Sequence, residues 1–291
     1  MPALILLAPA PLAGKTTVAA GLARGIASEG KRVSLQRMRG DDHAEIDAGL
    51  FSALQAVAQD SSQAEITLIE APAGDRASSL ADFPDGRVVV ITDASTPMDA
   101  LTDYCREAGD RLAGAVINKT PARRADSLLA DSKAAGINVL RALPEDRLLA
   151  APTIRDAVQA LAAQTEHLDG GEMRPLDRPV IATISADPGQ GYFARYGASA
   201  VIVRSDKPDL QLAALNAGAD CLIVTGGLPI LSYVLERVEE DQIPLLRTGL
   251  DTITAVQRIE AIFGSSPFAG DAKIERISTL LADLDLAALF D

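Results

Sequence analysis

A chain of 291 residues, 48% of them hydrophobic, is long enough to bury one or two cores, and two domains is the natural expectation. A net charge of −13, with aromatics at 3% and no tryptophan, argues against a basic groove or stacking platform for nucleic acid. The mean hydropathy is only +0.14 and no apolar run approaches the roughly 20 residues of a membrane-spanning helix, so neither a nucleic acid nor a membrane is an expected partner.

The first strand begins almost at Met1 and no leader-like segment precedes it, which predicts a cytoplasmic protein. Cys105 and Cys221 lie far apart and neither belongs to a CxxC pair; buried free thiols are expected. His43 and His167 have no second His or Cys at ligand spacing, which argues against structural zinc.

Along the first half, short β-branched runs alternate with alanine-rich helical patterns. Strands are predicted at Ala3–Leu7, Arg32–Gln36, Glu65–Glu70, Arg87–Thr92, Gly114–Asn118 and Asn138–Ala142. Helices are predicted at Thr16–Glu29, Ile46–Gln59, Pro97–Ala108, Ala122–Ala135 and Thr153–Gln164. Nearly all-apolar strands separated by helices indicate a parallel sheet covered on both faces. The stretch from Thr165 to Pro179 holds Gly170, Gly171, Pro175 and Pro179 among charged residues and reads as a linker.

A second alternation follows, with strands at Val180–Ser185, Ser199–Val203, Cys221–Thr225 and Pro244–Arg247. Its helices are predicted at Asp209–Ala217, Leu231–Gln242, Thr252–Phe263 and Asp271–Leu281. The fold class is therefore α/β, with one domain over 1–165 and a smaller one over 177–291.

Residues 8–17, APAPLAGKTT, follow the first strand and open the first helix. Amides at a helix N-terminus point at an anion, and the helix dipole favours it. Ala13, Gly14, Lys15, Thr16 and Thr17 form the predicted phosphate site: Lys15 for the β- and γ-phosphates, the Thr16 hydroxyl for Mg²⁺, and Gly14 for close backbone approach. Pro9 stands where a strict phosphate loop has glycine, and Pro9 and Pro11 each remove an amide donor. An ordinary strand–helix turn with a surface lysine is the plainer alternative.

Glu70 ends the third apolar strand before a small-residue loop. Ligands of parallel sheets sit at the carboxyl edge, so Glu70 is a candidate for Mg²⁺ or its waters, against a solvated strand-end glutamate. Asp41, Asp42 and Asp47 follow the second strand, and Asp47 is carried as the additional metal contact without a sequence reason to choose it over the others. Asp93 is a further strand-end carboxylate. Asn118 ends the fifth strand with a side-chain amide that can read an adenine edge; a turn-forming Asn shortly before Pro121 is the alternative.

These features in order resemble the dethiobiotin synthetase-like branch of P-loop proteins, with five residues between Ala8 and Gly14. Leu143–Thr153 looks like the segment that ends the N-terminal domain of long phosphotransacetylases. The second half resembles the DRTGG domain that follows there, on Asp206, Lys207 and Asp209, on Thr225, Gly226 and Gly227, and on Asp251 and Lys273. That resemblance implies a regulatory role and an adenine nucleotide near Asp206, Lys207, Asp209, Thr225, Gly226 and Gly227; tight-turn glycines and capping charges are the alternative.

Two departures qualify the resemblance. No acetyltransferase domain follows before Asp291, so acetyl transfer is not expected. The substrate-handling lysine of dethiobiotin synthetases is replaced by the stretch Arg37-Met38-Arg39, and arginine is no proton acceptor at neutral pH. The expected function is a regulatory adenine-nucleotide-binding protein, with ATP–Mg²⁺ in the first domain, an effector nucleotide in the second, and a homo-oligomer, a dimer, as its assembly. The alternatives are a weak ATPase or an ATP-dependent ligase of the dethiobiotin or cobyrinate type, with Arg37 and Arg39 on an anionic substrate, and a scaffold with a decayed site.

Overall fold

The computed structural model describes residues 2–38, 63–74, 77–168, 170–183 and 186–290, without the side chains of 77–79 and 186–190. The predicted helix Ile46–Gln59 and the candidates Arg39, Asp41, Asp42 and Asp47 lie outside these residues. The chain divides into two compact units, one of residues 1–149 with 273–291 and the other of residues 150–272.

In the first unit the strands are β1 (Ala3–Leu7), β2 (Val33–Arg37), β3 (Ile66–Glu70), β4 (Arg87–Asp93), β5 (Leu112–Thr120) and β6 (Val139–Pro144). They form one parallel sheet in the order β2-β3-β1-β4-β5-β6. β1 is buried from Leu4 to Leu7 and β3 along its whole length, as a parallel sheet covered on both faces requires. Its helices are α1 (Lys15–Ser28), α2 (Ala77–Asp82), α3 (Met98–Ala108) and α4 (Ala125–Ala134). The strand order reverses around β1, which leaves the crevice at its carboxyl end where such sheets bind ligands.

The short helix α5 (Arg147–Ala150) leads to the second unit. There the strands are β7 (Gln164–Glu166), β8 (Pro179–Ile181), β9 (Ala200–Arg204), β10 (Leu222–Thr225) and β11 (Leu245–Arg247). Their order is β7-β11-β10-β9-β8, parallel except for the antiparallel edge strand β7. The helices are α6 (Ile154–Leu161), α7 (Ala186–Tyr196), α8 (Pro208–Asn216), α9 (Ser232–Asp241) and α10 (Thr252–Ala261). Leu222 and Val224 of β10 pack into one apolar cluster and Ile223 into another, the alternation of a strand sandwiched between helix layers.

The compact units divide the chain at other points than the expected 1–165 and 177–291, for two physical reasons. The linker-like stretch is tied to the second unit: Ile154 N donates to the Arg174 carbonyl at 3.0 Å, Arg155 N to Glu172 at 3.0 Å and Leu176 N to Pro152 at 2.8 Å, while β7 pairs with β11. At the other end α11 (Asp271–Leu281) joins the first unit. It packs so closely on α1 that a Cβ at Gly21 would stand 2.8 Å from Ile277 Cγ1 and 2.8 Å from Leu281 Cδ1. Arg276 Nε bonds Asp146 Oδ2 at 2.6 Å and Arg141 Nε bonds the Leu280 carbonyl at 3.0 Å, fixing the same return.

Candidate functional site

β1 carries the chain to the middle of its sheet and releases it at Ala8, and α1 begins at Lys15. Gly14 caps α1 in the left-handed conformation, φ +98°, with no side-chain hydrogen bond at the cap. The first-turn amides of a helix have no intrahelical acceptor, so this end of α1 suits an anion. The Lys15 side chain lies largely buried there, with a residue exposure of 6%. Leu12, immediately before, also adopts a left-handed φ of +59°, unusual for a residue with a branched side chain.

Thr16 Oγ1 donates to Glu70 Oε1 at 3.0 Å. Glu70 is 2% exposed, and its second oxygen, Oε2, is buried without a hydrogen-bond partner among the described residues. Arg37 and Glu70 are register partners at the ends of β2 and β3, and the guanidinium Nη1 lies 3.5 Å from Oε1, both side chains buried. Burial pushes the Glu70 carboxyl above its ordinary value, against the opposing charges of Arg37 and Lys15 and the Thr16 bond. Sequence reasoning placed Glu70 at the crevice; Arg37 could be placed opposite it only once the register of β2 on β3 was fixed.

The end of β5 approaches the loop from the other side. Asn118 Nδ2 donates to the Ala13 carbonyl at 3.0 Å, and Asn118 Oδ1 accepts from Lys119 N at 2.9 Å. Lys119 Nζ donates to the Leu12 carbonyl at 2.9 Å. Of the four bonds a primary amide can form, Asn118 thus spends one donor and one acceptor on the protein. Asp93, the register partner of Asn118, accepts from Ser95 N at 2.9 Å and from the Ser95 hydroxyl, which commits it to its own turn. Burial opposes ionisation of Asp93, but the Ser95 and Thr96 bonds and the Lys119 charge outweigh it and hold the carboxyl below its ordinary value.

The second unit has its own set of loops at the carboxyl ends of β9, β10 and β11. Asp206 forms a two-point ion pair with Arg204, at 2.9 and 2.5 Å, and these bonds hold its carboxyl below the usual range. Lys207 is the N-cap of α8 with no side-chain bond at the cap, Pro208 takes the first helical position, and Asp209 lies in the first turn. Gly226 and Gly227 both have left-handed φ, +92° and +71°. A Cβ at Gly226 would meet Ser205 Oγ at 3.2 Å, and one at Gly227 would meet Gly249 Cα at 3.3 Å, so the three loops converge at the paired glycines. Thr225 turns inward instead, its hydroxyl 3.3 Å from the Val203 carbonyl and 2.8 Å from Thr252 Oγ1.

Two residues of these loops were missed by sequence reasoning. Ser205 Oγ accepts from Leu228 N at 3.3 Å. Gln211, wholly buried, donates from Nε2 to the Arg204 and Ser205 carbonyls at 2.9 and 3.3 Å. A glutamine amid the apolar residues of α8 was the signal available. Leu228, Leu231, Tyr233 and Ile253 on the same loops and first helical turns are exposed. Cys105 and Cys221 are both free and buried, as expected, and burial pushes the Cys105 thiol up to about 11. No helix among the described residues is long and apolar enough to cross a membrane.

A family model for the DRTGG domain matches residues 156–262, wholly inside the second unit. Among solved structures, the chain is similar to the CBS and DRTGG domains of the regulatory region of Clostridium perfringens pyrophosphatase, solved with the activator diadenosine tetraphosphate. The identity there is 16% and the TM-score 0.35, over 47% of this chain and 64% of that one. It is similar also to the signal recognition particle receptor FtsY of Elizabethkingia anophelis, with 18% identity and a TM-score of 0.30 over 40% of this chain and 50% of that one. A third structure, the anthranilate CoA ligase AuaEII with anthranoyl-AMP, matches at 10% identity and a TM-score of 0.21, over 84% of this chain and 55% of that one. In each case the chain spans less than two thirds of the structure that it matches.

Proposed function

We propose that this protein binds ATP–Mg²⁺ at the loop between β1 and α1 and serves a regulatory role, with a nucleotide effector at the DRTGG domain of its second unit. The observation that carries the reading is the convergence of Lys15, Thr16 and Glu70 at the N-terminus of α1, with the Thr16–Glu70 bond of 3.0 Å.

The donor set fits magnesium. The Thr16 hydroxyl and the Glu70 carboxylate set oxygen ligands side by side at 3.0 Å, and Glu70 Oε2 is a buried oxygen without a hydrogen-bond partner among the described residues. Magnesium would be held by Thr16 and, directly or through water, by Glu70, with Asp47 as the remaining proposed contact. Bound there, the ion neutralises the charge of the β- and γ-phosphates. Lys15 supplies a second positive charge, and the amides of Ala13, Gly14, Lys15, Thr16 and Thr17 supply directed donors.

Arg37 adds positive charge to the same place: its Nη1 lies 3.5 Å from Glu70 Oε1 with both side chains buried, and that charge opposes the effect of burial on the Glu70 carboxyl. In the second unit, Asp206, Lys207, Asp209, Gly226 and Gly227 make up the proposed effector site on the scaffold Thr225 holds. Glycine turns admit a phosphate or ribose at backbone distance, and the exposed Leu228 and Tyr233 offer apolar surface to a base. A cytoplasmic homodimer belongs to the same proposal, and light scattering reads its mass.

Titration calorimetry with ATP–Mg²⁺ tests the nucleotide assignment on wild type and Lys15→Ala. The variant is expected to lose about tenfold or more in affinity, the scale of a charge-assisted bond to phosphate. Equal affinity in both proteins would overturn the loop assignment.

A further inference from the structure

We propose that Asn118 and Lys119 are positioning residues of the phosphate loop: by holding the carbonyls of Ala13 and Leu12, they aim the adjoining amides at the bound phosphates. The inference rests on the nucleotide reading above and gives the end of β5 a task other than reading the base.

A trans peptide group is planar, and its C=O and N–H point in opposite directions. The Leu12 carbonyl shares a plane with the Ala13 N–H, and the Ala13 carbonyl with the Gly14 N–H. Lys119 Nζ holds the first carbonyl at 2.9 Å and Asn118 Nδ2 holds the second at 3.0 Å. Both amides are thereby turned away from the end of β5. They extend the row of donors begun by the first-turn amides of α1.

The loop has a specific need for such a clamp. Pro9 and Pro11 contribute no N–H, so the loop has fewer donors before Ala13 and depends more on the orientation of those from Ala13 onward. Leu12, at φ +59°, sits in a left-handed region that a non-glycine residue keeps only when its surroundings hold it there. The Lys119 bond to its carbonyl is one such hold. Lys119 itself has φ +50°, and the Asn118 Oδ1 bond to its amide at 2.9 Å sets the turn that presents both donors side by side. The fit is tight: a Cβ at Gly14 would stand 2.1 Å from Asn118 Nδ2, so only glycine admits the Asn118 amide at this point.

A clamp and a base reader differ in which ligands they affect. The test is calorimetry of ATP, GTP and inorganic tripolyphosphate, each with Mg²⁺, on the full chain as wild type, Asn118→Ala and Lys119→Met. The clamp predicts that both variants weaken all three ligands by a similar factor, about tenfold for one lost bond at the loop, and leave the ATP-to-GTP ratio unchanged. A loss confined to ATP, with tripolyphosphate bound as in wild type, overturns the clamp and makes Asn118 a base reader. Unchanged affinity for all three in both variants overturns it as well. Lys119 is only half-buried, so Lys119→Met decides the matter alone if Asn118→Ala does not fold. A wild-type chain that binds none of the three overturns the nucleotide reading itself, and the clamp with it.

Discussion

At the scale of single residues, the carboxylates of Glu70 and Asp251 stand in opposite electrostatic settings. Glu70 is buried with its charge opposed by the low-dielectric surroundings, whereas the exposed Asp251 is held in its ionised form. Asp251 is the N-cap of α10, accepting from Thr254 N at 3.0 Å and from the Thr254 hydroxyl at 2.7 Å, and these bonds keep its carboxyl below the ordinary value. A carboxylate whose folded pKa is depressed contributes stability that is fully present above its unfolded pKa, about 3.9, and is lost as pH falls through the folded value. Asp251→Ala is therefore expected to lower the urea midpoint at neutral pH. The gap to wild type should narrow as acid protonates Asp251; a gap of constant size between neutral and strongly acid pH would refute the cap's role.

At the scale of elements, the contact of α11 on α1 is the one most exposed to test. Valine at Gly21 would force two branched atoms into the space that Ile277 and Leu281 fill, and overpacking of this kind costs about 1–3 kcal/mol. Gly21→Val should lower the thermal midpoint, and adding Ile277→Ala should recover part of the loss. Additive losses in the double variant would count against the contact.

Elements also show where the sequence could be read. β1, β3 and β4 were legible because they are short apolar runs bounded by polar or small residues, and the Gly14-Lys15-Thr16 turn because it joins such a run to a helix. The helix α7 was not, since Pro188, Gly189 and Gly191 act as breakers in sequence terms, although proline is at home in a helix's first turn. The strand β7 is Gln164-Thr165-Glu166, polar throughout, and exists only by pairing with β11. At the site, Lys15, Thr16, Glu70 and Asn118 could be found by position in the strand pattern. The Arg37–Glu70 pair and the Lys119–Leu12 bond depend on sheet register and on a loop's backbone angles, which no local pattern encodes.

At the scale of the molecule, the second unit is continuous in sequence and the first is interrupted by it. The second unit has a five-stranded sheet and apolar clusters of its own. Residues 150–272 expressed alone are therefore expected to fold, giving dispersed amide resonances and a cooperative melt. Residues 1–149 alone lack α11 and should melt well below the full chain, or not cooperatively. The reverse outcome, a stable 1–149 and an unfolded 150–272, would show that the compact units are not the folding units.

The return of α11 to α1 also fixes an order of events during synthesis. The contact between Gly21 and Ile277 closes a loop that contains the entire second unit, and contacts so distant in sequence form slowly. While the ribosome is still making the second unit, α1 has its central strands beside it but not the helix that covers Gly21. The nascent first unit thus waits, incomplete, until the younger unit has been made.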